Sequence, residues 1–528
     1  MKNGFLKSLA DSRKMKYSTL SGAFIAIVIA IVIMLNSISA VLAEKFGWYI
    51  DMTDEQIFSL SDDAKELLDS LNENVELEIV FPCEKDVIDK NYANTATSGA
   101  IGYVHSTAEQ IAKACDNVTV SYHDVDRDYL FYKEAGVLGK AGDDKILILR
   151  RDANGKYVEG DFRVYPVNYF FVGDTEGNLY GYNGELMFMS ALLAMSYDTV
   201  PVVYFTIGHG ELSFNADATV DYESINTAYL EGKLNPAALE LIRIFCDSGF
   251  TVKPLDITTS EIPTDARIVV INQPKGDFDD DELYKLSKYL ESEGTVFCFT
   301  PHDAELKNLY TMLEASYGVT VNPSATPVED LSTQFANTKY TLLGYVSTTH
   351  NSFATSQYFA TLNSYASQRA RLKNCATISI DERFMNQKGY YTGSIAKYTY
   401  PLIETTKSAD FAGTRGVHNL MSITSIEAWD YENQSSSFSY LLVCPSSDFA
   451  SNEYLSTTTA PNKNMILSLI QSTSSVQTPV NLDYKTFMSY ELEITDRQAQ
   501  SATILLATIL PALIVISGVV VIVRRKHR

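Results

Sequence analysis

The chain has few cysteines and few basic residues, and two long stretches of it carry no charge. Six cysteines occur in 528 residues. They are Cys83, Cys115, Cys246, Cys298, Cys375 and Cys444, and no two form a CxxC. Dithiol exchange and zinc-ribbon spacing are therefore excluded. Cys246, Cys298 and Cys444 lie in apolar runs and read as small core residues. No G-x-x-x-x-G-K-[ST] is present, which excludes a P-loop, and neither G-x-S-x-G nor H-E-x-x-H occurs. Ser394-Ile-Ala-Lys397 matches the SxxK of penicillin-binding proteins, but the KTG strand which that chemistry also needs is absent. With 42 Lys and Arg against 65 Asp and Glu, the formal net charge is −23. That charge excludes nucleic acid and anionic lipid as docking partners.

No charged residue lies between Lys16 and Glu44, nor between Arg497 and Arg524. Within these gaps, 20–42 and 502–523 are apolar enough to cross a bilayer as helices, and Pro511 is tolerated in such a helix. The first run exceeds the roughly 7–15 residues of a signal-peptide core, so an uncleaved anchor is expected. Lys2, Lys7, Arg13, Lys14 and Lys16 precede the first span, and Arg524, Arg525, Lys526 and Arg528 follow the second. Basic flanks mark the cytoplasmic side. The expected topology is a basic tail at 1–19, a span at 20–42, an ectodomain of about 44–499 outside, a span at 502–523 and a basic tail at 524–528.

The ectodomain reads as two α/β units. Ser59-Leu60-Ser61-Asp62 has the look of a helix start. From there, 45–198 alternates in the order βαβαββα, with a hairpin turn at Asp152–Gly155. That order predicts a thioredoxin-like domain without its CxxC, since Phe81-Pro82-Cys83-Glu84 stands where the motif would sit. The second unit, 199–475, alternates strand and helix and predicts a doubly wound, Rossmann/flavodoxin-like parallel sheet. Its strands are expected near 200–205, 251–255, 268–271, 295–299 and 438–444. Segment 320–435, rich in Ser, Thr, Asn and Tyr, fits no periodicity, and 476–500 reads as a stalk.

In open α/β sheets ligands bind beyond the carboxyl ends of the strands. His209 and Glu211 fall there after the first strand, Gln273 after the third, His302 and Asp303 after the fourth, and Ser446, Ser447 and Asp448 after the last. If the sheet's switch point lies between its first and fourth strands, His209, Glu211, His302 and Asp303 share one crevice. Two imidazoles and two carboxylates suit a divalent cation, although no metal or other cofactor is assigned. The simpler reading is that Gly208 and Gly210 make a structural turn, with His209 bonded to backbone. The loop is at once that turn and the best place to seek a pocket, together with Gln273, Ser446 and Asp448.

The segment Val203–Glu211, ending in Gly-His-Gly-Glu, is similar to one in the auxiliary-component family of uncharacterised ABC-type transport systems, which includes gliding-motility ABC-transporter proteins. Ile57–Ser61, Ile262–Asp265, Gln273-Pro274, Asp279–Glu282, Ile509–Pro511 and Arg524–Lys526 also resemble that family, over about 45–310 and 438–528. The resemblance implies a membrane-anchored extracytoplasmic subunit beside an ABC permease and a separate P-loop ATPase, with no established enzyme activity. It supplies no residue roles. Two alternatives stand beside it. One is an extracytoplasmic hydrolase or amidotransferase-like enzyme with His209 as base, oriented by Glu211 or Asp303. The other is a cell-surface scaffold that uses 320–435.

Overall fold

Ser61 starts the first helix as expected, its Oγ accepting from the Ala64 N–H at 3.1 Å. The structure is a computed structural model. It describes residues 56–487, apart from 92–98, 153, 174–178, 336–337, 348–357, 360–368, 386–388, 431–433, 447, 457–460, 481 and 483, together with scattered residues between 24 and 38. The tails, most of 20–42, all of 502–523, 488–500 and Ser447 lie outside the described residues. Among the described residues no helix is long and apolar enough to cross a membrane.

The first unit contains α1 (Asp62–Asp69), β1 (Glu76–Phe81), α2 (Lys85–Asn91), α3 (Gly99–Ala114), β2 (Val118–Tyr122), α4 (Tyr129–Glu134), β3 (Lys145–Arg151), β4 (Tyr157–Pro166), β5 (Phe171–Gly173), β6 (Leu179–Tyr182) and α5 (Gly184–Met195). A four-stranded sheet runs β2-β1-β3-β4. β1 is parallel to β2 and antiparallel to β3. Leu77, Ile79 and Phe81 point to one face, onto α1, α3 and α5, whereas Val80 points to the other, with Tyr132 of α4. This is the period of two that a half-buried strand imposes.

The second unit begins with β7 (Val202–Ile207), α6 (Ile225–Leu230), α7 (Leu239–Asp247), β8 (Thr251–Asp256), β9 (Ala266–Asn272), α8 (Asp280–Leu290), β10 (Thr295–Phe299) and α9 (Lys307–Tyr317). Where the sequence showed no periodicity, the chain forms β11 (Val319–Asn322), β12 (Thr341–Val346), β13 (Arg369–Lys373), β14 (Thr377–Ile380), β15 (Tyr390–Thr392), β16 (Ile395–Glu404), β17 (Asp410–Phe411), β18 (Thr414–Arg415) and β19 (Asn419–Asp430). It closes with β20 (Ser435–Cys444), α10 (Asn452–Leu455), α11 (Asn462–Ser474) and β21 (Lys485–Thr486).

One 12-stranded sheet dominates, with a main path β13-β12-β16-β19-β20-β10-β9-β7-β8 and β11, β14 and β15 off that path. From β20 to β8 the strands are parallel. From β20 to β13 they are antiparallel. Segment 320–435 is therefore the antiparallel half of the same sheet. Its hydroxyls are used inside it: Thr399 and Thr424 pair across β16 and β19 at 2.9 Å, and Thr399 donates to the Tyr317 carbonyl at 2.7 Å. The parallel strands bury both faces. Val203 and Phe205 of β7 pack with α7 and α11, and Val202 and Tyr204 with α8 and α9. All six cysteines are unpaired, and Cys246, Cys298, Cys375 and Cys444 are buried in these cores. Both edges of the main strand path are marked. β8 contains Pro254, and β13 alternates Arg369, Arg371 and Lys373 with buried Ala370 and Leu372.

The expected stalk differs in its described part, which is a strap. Val476 and Val480 join the second core and Leu482 joins the first. β21 then pairs antiparallel with β6. Three apolar side chains and two strand residues hold the segment against the two cores. Lys485 donates to the carbonyls of Gln56 at 2.8 Å and Ser59 at 2.6 Å, and to Glu185 Oε1 at 2.5 Å. Glu185 also accepts from the Ser61 N–H at 3.0 Å and its hydroxyl at 2.7 Å. Glu185 is buried and Lys485 largely so, with side-chain exposures of 7% and 14%. Removing one partner of such a pair leaves an uncompensated charge. Lys485→Met is expected to destabilise by about 3 kcal/mol and to open 476–487 to limited proteolysis. An unchanged urea midpoint with full protection would show that the strap holds without this pair.

Candidate functional site

Counted along the chain, the parallel strands lie in the order second, first, third, fourth, fifth. The switch point is therefore between β7 and β9, not between the first and fourth strands as the sequence reading supposed. The cause is the connection 257–265, which leads from β8 across β7 and sets β9 on the other side of it. The Gly208–Glu211 loop lies at this switch point. Gly208 and Gly210 have φ of +114° and +76°, a region costly for any residue with a Cβ. A Cβ on Gly208 would also come within 3.0 Å of the Thr258 methyl.

The loop points His209 inward. Its ring stacks on Phe278 with centroids 4.0 Å apart. Nε2 is 3.0 Å from Glu282 Oε2, and Nδ1 is 3.4 Å from Glu211 Oε1. The second contact is an ion pair without hydrogen-bond alignment, and neither atom has another hydrogen-bond partner. All three side chains are nearly inaccessible, at 7%, 0% and 5% exposure for His209, Glu211 and Glu282. Glu211 Oε2 accepts from the His209 backbone N–H at 2.7 Å. Glu282 is also the third residue of a capping box: Asp279 accepts from its N–H at 2.9 Å, and its own carboxylate accepts from the Asp279 N–H at 2.7 Å. The Lys275 and Gly276 N–H groups both donate to the His209 carbonyl at 2.8 Å.

The neighbouring Glu211 carboxylate raises the His209 pKa above 6.5, outweighing burial, and Glu282 adds to it. Burial raises the Glu211 carboxyl, but hydrogen bonds from His209, from backbone N–H groups and from Thr206 leave it below its ordinary value. The set is thus an imidazole ring between two carboxylates, both of which favour its protonated form. Both ring nitrogens face carboxylates.

The other predicted residues form a separate cluster. Gln273, at φ +57°, donates its N–H to the Phe299 carbonyl at 2.8 Å and its Nε2 to the Ser446 carbonyl at 3.1 Å. Ser446 Oγ donates to the Lys373 carbonyl at 3.0 Å. Asp448 accepts from Asn374 Nδ2 at 3.3 Å; burial pushes its carboxyl up, against the pull of Lys373. His302 Nδ1 is 3.8 Å from Asp303, and His302 acts electrostatically on Asp448. His209 pairs with Glu211 and Glu282, whereas His302 pairs with Asp303. The four residues expected to face one crevice are thus divided between two clusters. Among the described residues no group of three or more His, Cys, Asp or Glu is arranged to hold a metal ion.

Two cavities lie elsewhere, between the units, and none of the predicted residues lines either of them. One, of about 90 Å³, is lined by Asn183, Tyr222, Asp247 and Lys463 among others. The other is an adjoining groove of about 760 Å³ that shares Met187, Tyr222 and Asp247. No sequence motif marks these residues, which come from segments far apart in the chain. Glu282 did carry a signal, as the acid three residues into a helix capped by Asp279.

No family model matches the chain, and no curated protein matches it. A solved structure described as "mmIFT52 N-terminal domain" is similar at 16% identity and a TM-score of 0.32, over 52% of this chain and 97% of that one. At that TM-score the likeness bears on neither fold nor function.

The His209 pKa is raised on folding, so its stabilisation is complete below about pH 6.5 and is lost as pH rises through the folded-state value. The Glu211 pKa is lowered, so its contribution is present above 4.5 and is lost as pH falls through the folded-state value. Wild type is expected to exceed His209→Gln in urea midpoint most near about pH 6 and by a smaller margin near about pH 9. A gap that widens with pH would contradict the raised His209 pKa.

Proposed function

We propose that the chain is a membrane-anchored extracytoplasmic accessory subunit of an ABC-type transport system, working with a separate permease and P-loop ATPase. We read its body as a thioredoxin-like unit followed by a flavodoxin-like doubly wound unit, held on two spans with both termini in the cytoplasm. The supports in the sequence are the two uncharged apolar stretches, their basic flanks, the acidic body and the family resemblance. The observation that carries the reading is the meeting of the chain's two ends. Gln56 and Ser59, which follow the first apolar stretch, and Lys485, which precedes the second, bond to one another directly. Two spans leaving one spot can sit side by side against a permease. Helical residues described between 24 and 38, such as Phe24, Ile27, Ile31 and Met34, have exposed apolar side chains, as a lipid- or protein-facing helix requires.

The test is affinity purification of the tagged full-length protein from its own membranes in mild detergent, followed by mass spectrometry. A multispan permease and a P-loop ATPase at comparable abundance are expected. Recovery of the protein alone would sink the reading.

A further inference from the structure

The two inter-unit cavities carry an inference that does not depend on the transporter reading. The inner one, about 90 Å³, lies between α5 of the first unit and α7 and α11 of the second. One water needs roughly 10–15 Å³ by the same measure, so there is room for a polar head group. Three polar groups on its wall are unspent. Asn183 Oδ1 is buried and has no hydrogen-bond partner. Among the described residues, neither the Asp247 carboxylate nor the Lys463 ammonium has a hydrogen bond or ion pair. Burial pushes the Asp247 carboxyl up, against the fields of Lys463, Arg243 and Arg163, so the group is short of stabilisation as it stands.

The backbone around these groups is polarised in the same sense. Asp247 is the last residue of α7, where the helix presents its negative end, and Lys463 is in the first turn of the 13-residue α11, where the helix presents its positive end. One side of the cavity favours a cation and the other an anion. Asn183, the N-cap of α5, adds an acceptor to the lining, because an amide oxygen can bond only to a donor. The opposite wall is aromatic: Tyr165 and Tyr222 have rings 5.0 Å apart, and the Arg163 guanidinium lies 4.5 Å over Tyr222. The cavity adjoins the groove of about 760 Å³, whose walls include Phe162, Tyr169, Phe171 and Met187. That volume is within the roughly 300–1,000 Å³ of small-molecule sites, which favour domain interfaces.

We infer that the cleft between the two units is a binding site for a small zwitterion of the α-amino-acid class with an apolar side chain. The ammonium pairs with Asp247 and donates to Asn183 Oδ1. The carboxylate pairs with Lys463 at the start of α11. The side chain runs past Met187 into the groove. Because the walls come from both units, occupancy also ties the units together.

The probes are L-leucine, isoamylamine, which lacks the carboxylate, and 4-methylpentanoate, which lacks the ammonium. Binding is measured on the detergent-solubilised full-length protein by calorimetry and by thermal shift. Leucine is expected to bind about tenfold or more tightly than either half-probe. Asp247→Asn is expected to abolish binding of leucine and of isoamylamine. Lys463→Met is expected to reduce leucine to the level of isoamylamine. Asp247→Asn removes a carboxylate that has no partner, so its own unfolding midpoint is expected to match or exceed wild type. No leucine binding up to millimolar concentration, equal binding of leucine and isoamylamine, or leucine binding unchanged in both variants would each overturn the assignment. Co-purification of permease and ATPase is read separately, so failure here and failure of the transporter reading are distinguishable.

Discussion

The architecture depends on the return of the chain to its own beginning. A buried Glu185 needs a cation, and the cation comes from Lys485, 300 residues later. To deliver it, the strap crosses from the second core to the first and pairs as β21 with β6. The chain therefore passes between the units twice, once near 196–201 and once along the strap. Two crossings restrict relative motion far more than one linker would. Further contacts reinforce this: Arg150 bonds to the Tyr197 carbonyl at 2.7 Å, and Tyr197 OH to the Gln477 carbonyl at 2.9 Å. The inter-unit cavities lie within this doubly fastened region, where a lining can be held in place while the groove stays open.

The switch point of the parallel sheet presents the opposite case. Topology makes it the default crevice, but here the chain fills it with its own groups. Phe278 covers His209, two backbone N–H groups converge on its carbonyl, and Glu282 serves both a helix cap and the imidazole. Burying three ionisable groups is costly unless each is paired, and here each one is. The loop thereby joins the end of β7 to the start of α8, fixing the junction where the winding of the sheet reverses.

The parallel half was legible because buried parallel strands are short apolar runs bounded by polar strand ends, as at 295–299. The antiparallel half was not. In β16 and β19, hydroxyl residues such as Thr399 and Thr424 are inside, paired with each other or with a carbonyl, so polarity no longer reports exposure. Thr and Tyr suit strands sterically, but without alternation of polarity nothing in the pattern gives the register. The strap was missed for a different reason, since its anchors Val476, Val480 and Leu482 are too sparse to form a periodic signal. At the site, the Gly-His-Gly-Glu turn and the strand-end residues were found in place. Their partners were misassigned, because which strand ends are neighbours depends on topology. Asn183, Asp247 and Lys463 were invisible because they lie at the ends of three helices that tertiary packing alone brings together.

Pro254 and the basic alternation of β13 have a consequence for coexistence. A sheet this wide has two rims whose free backbone groups are a template for further strands, and both are partly covered, Val252 of β8 by Val220 and Arg371 of β13 by the Asn462 amide. Pro254 has no N–H to offer on one rim. On the other, Arg369, Arg371 and Lys373 would meet their own charges in any edge-to-edge stack. Neighbouring copies crowded far beyond their dilute concentration would still keep their sheets from fusing into fibrils.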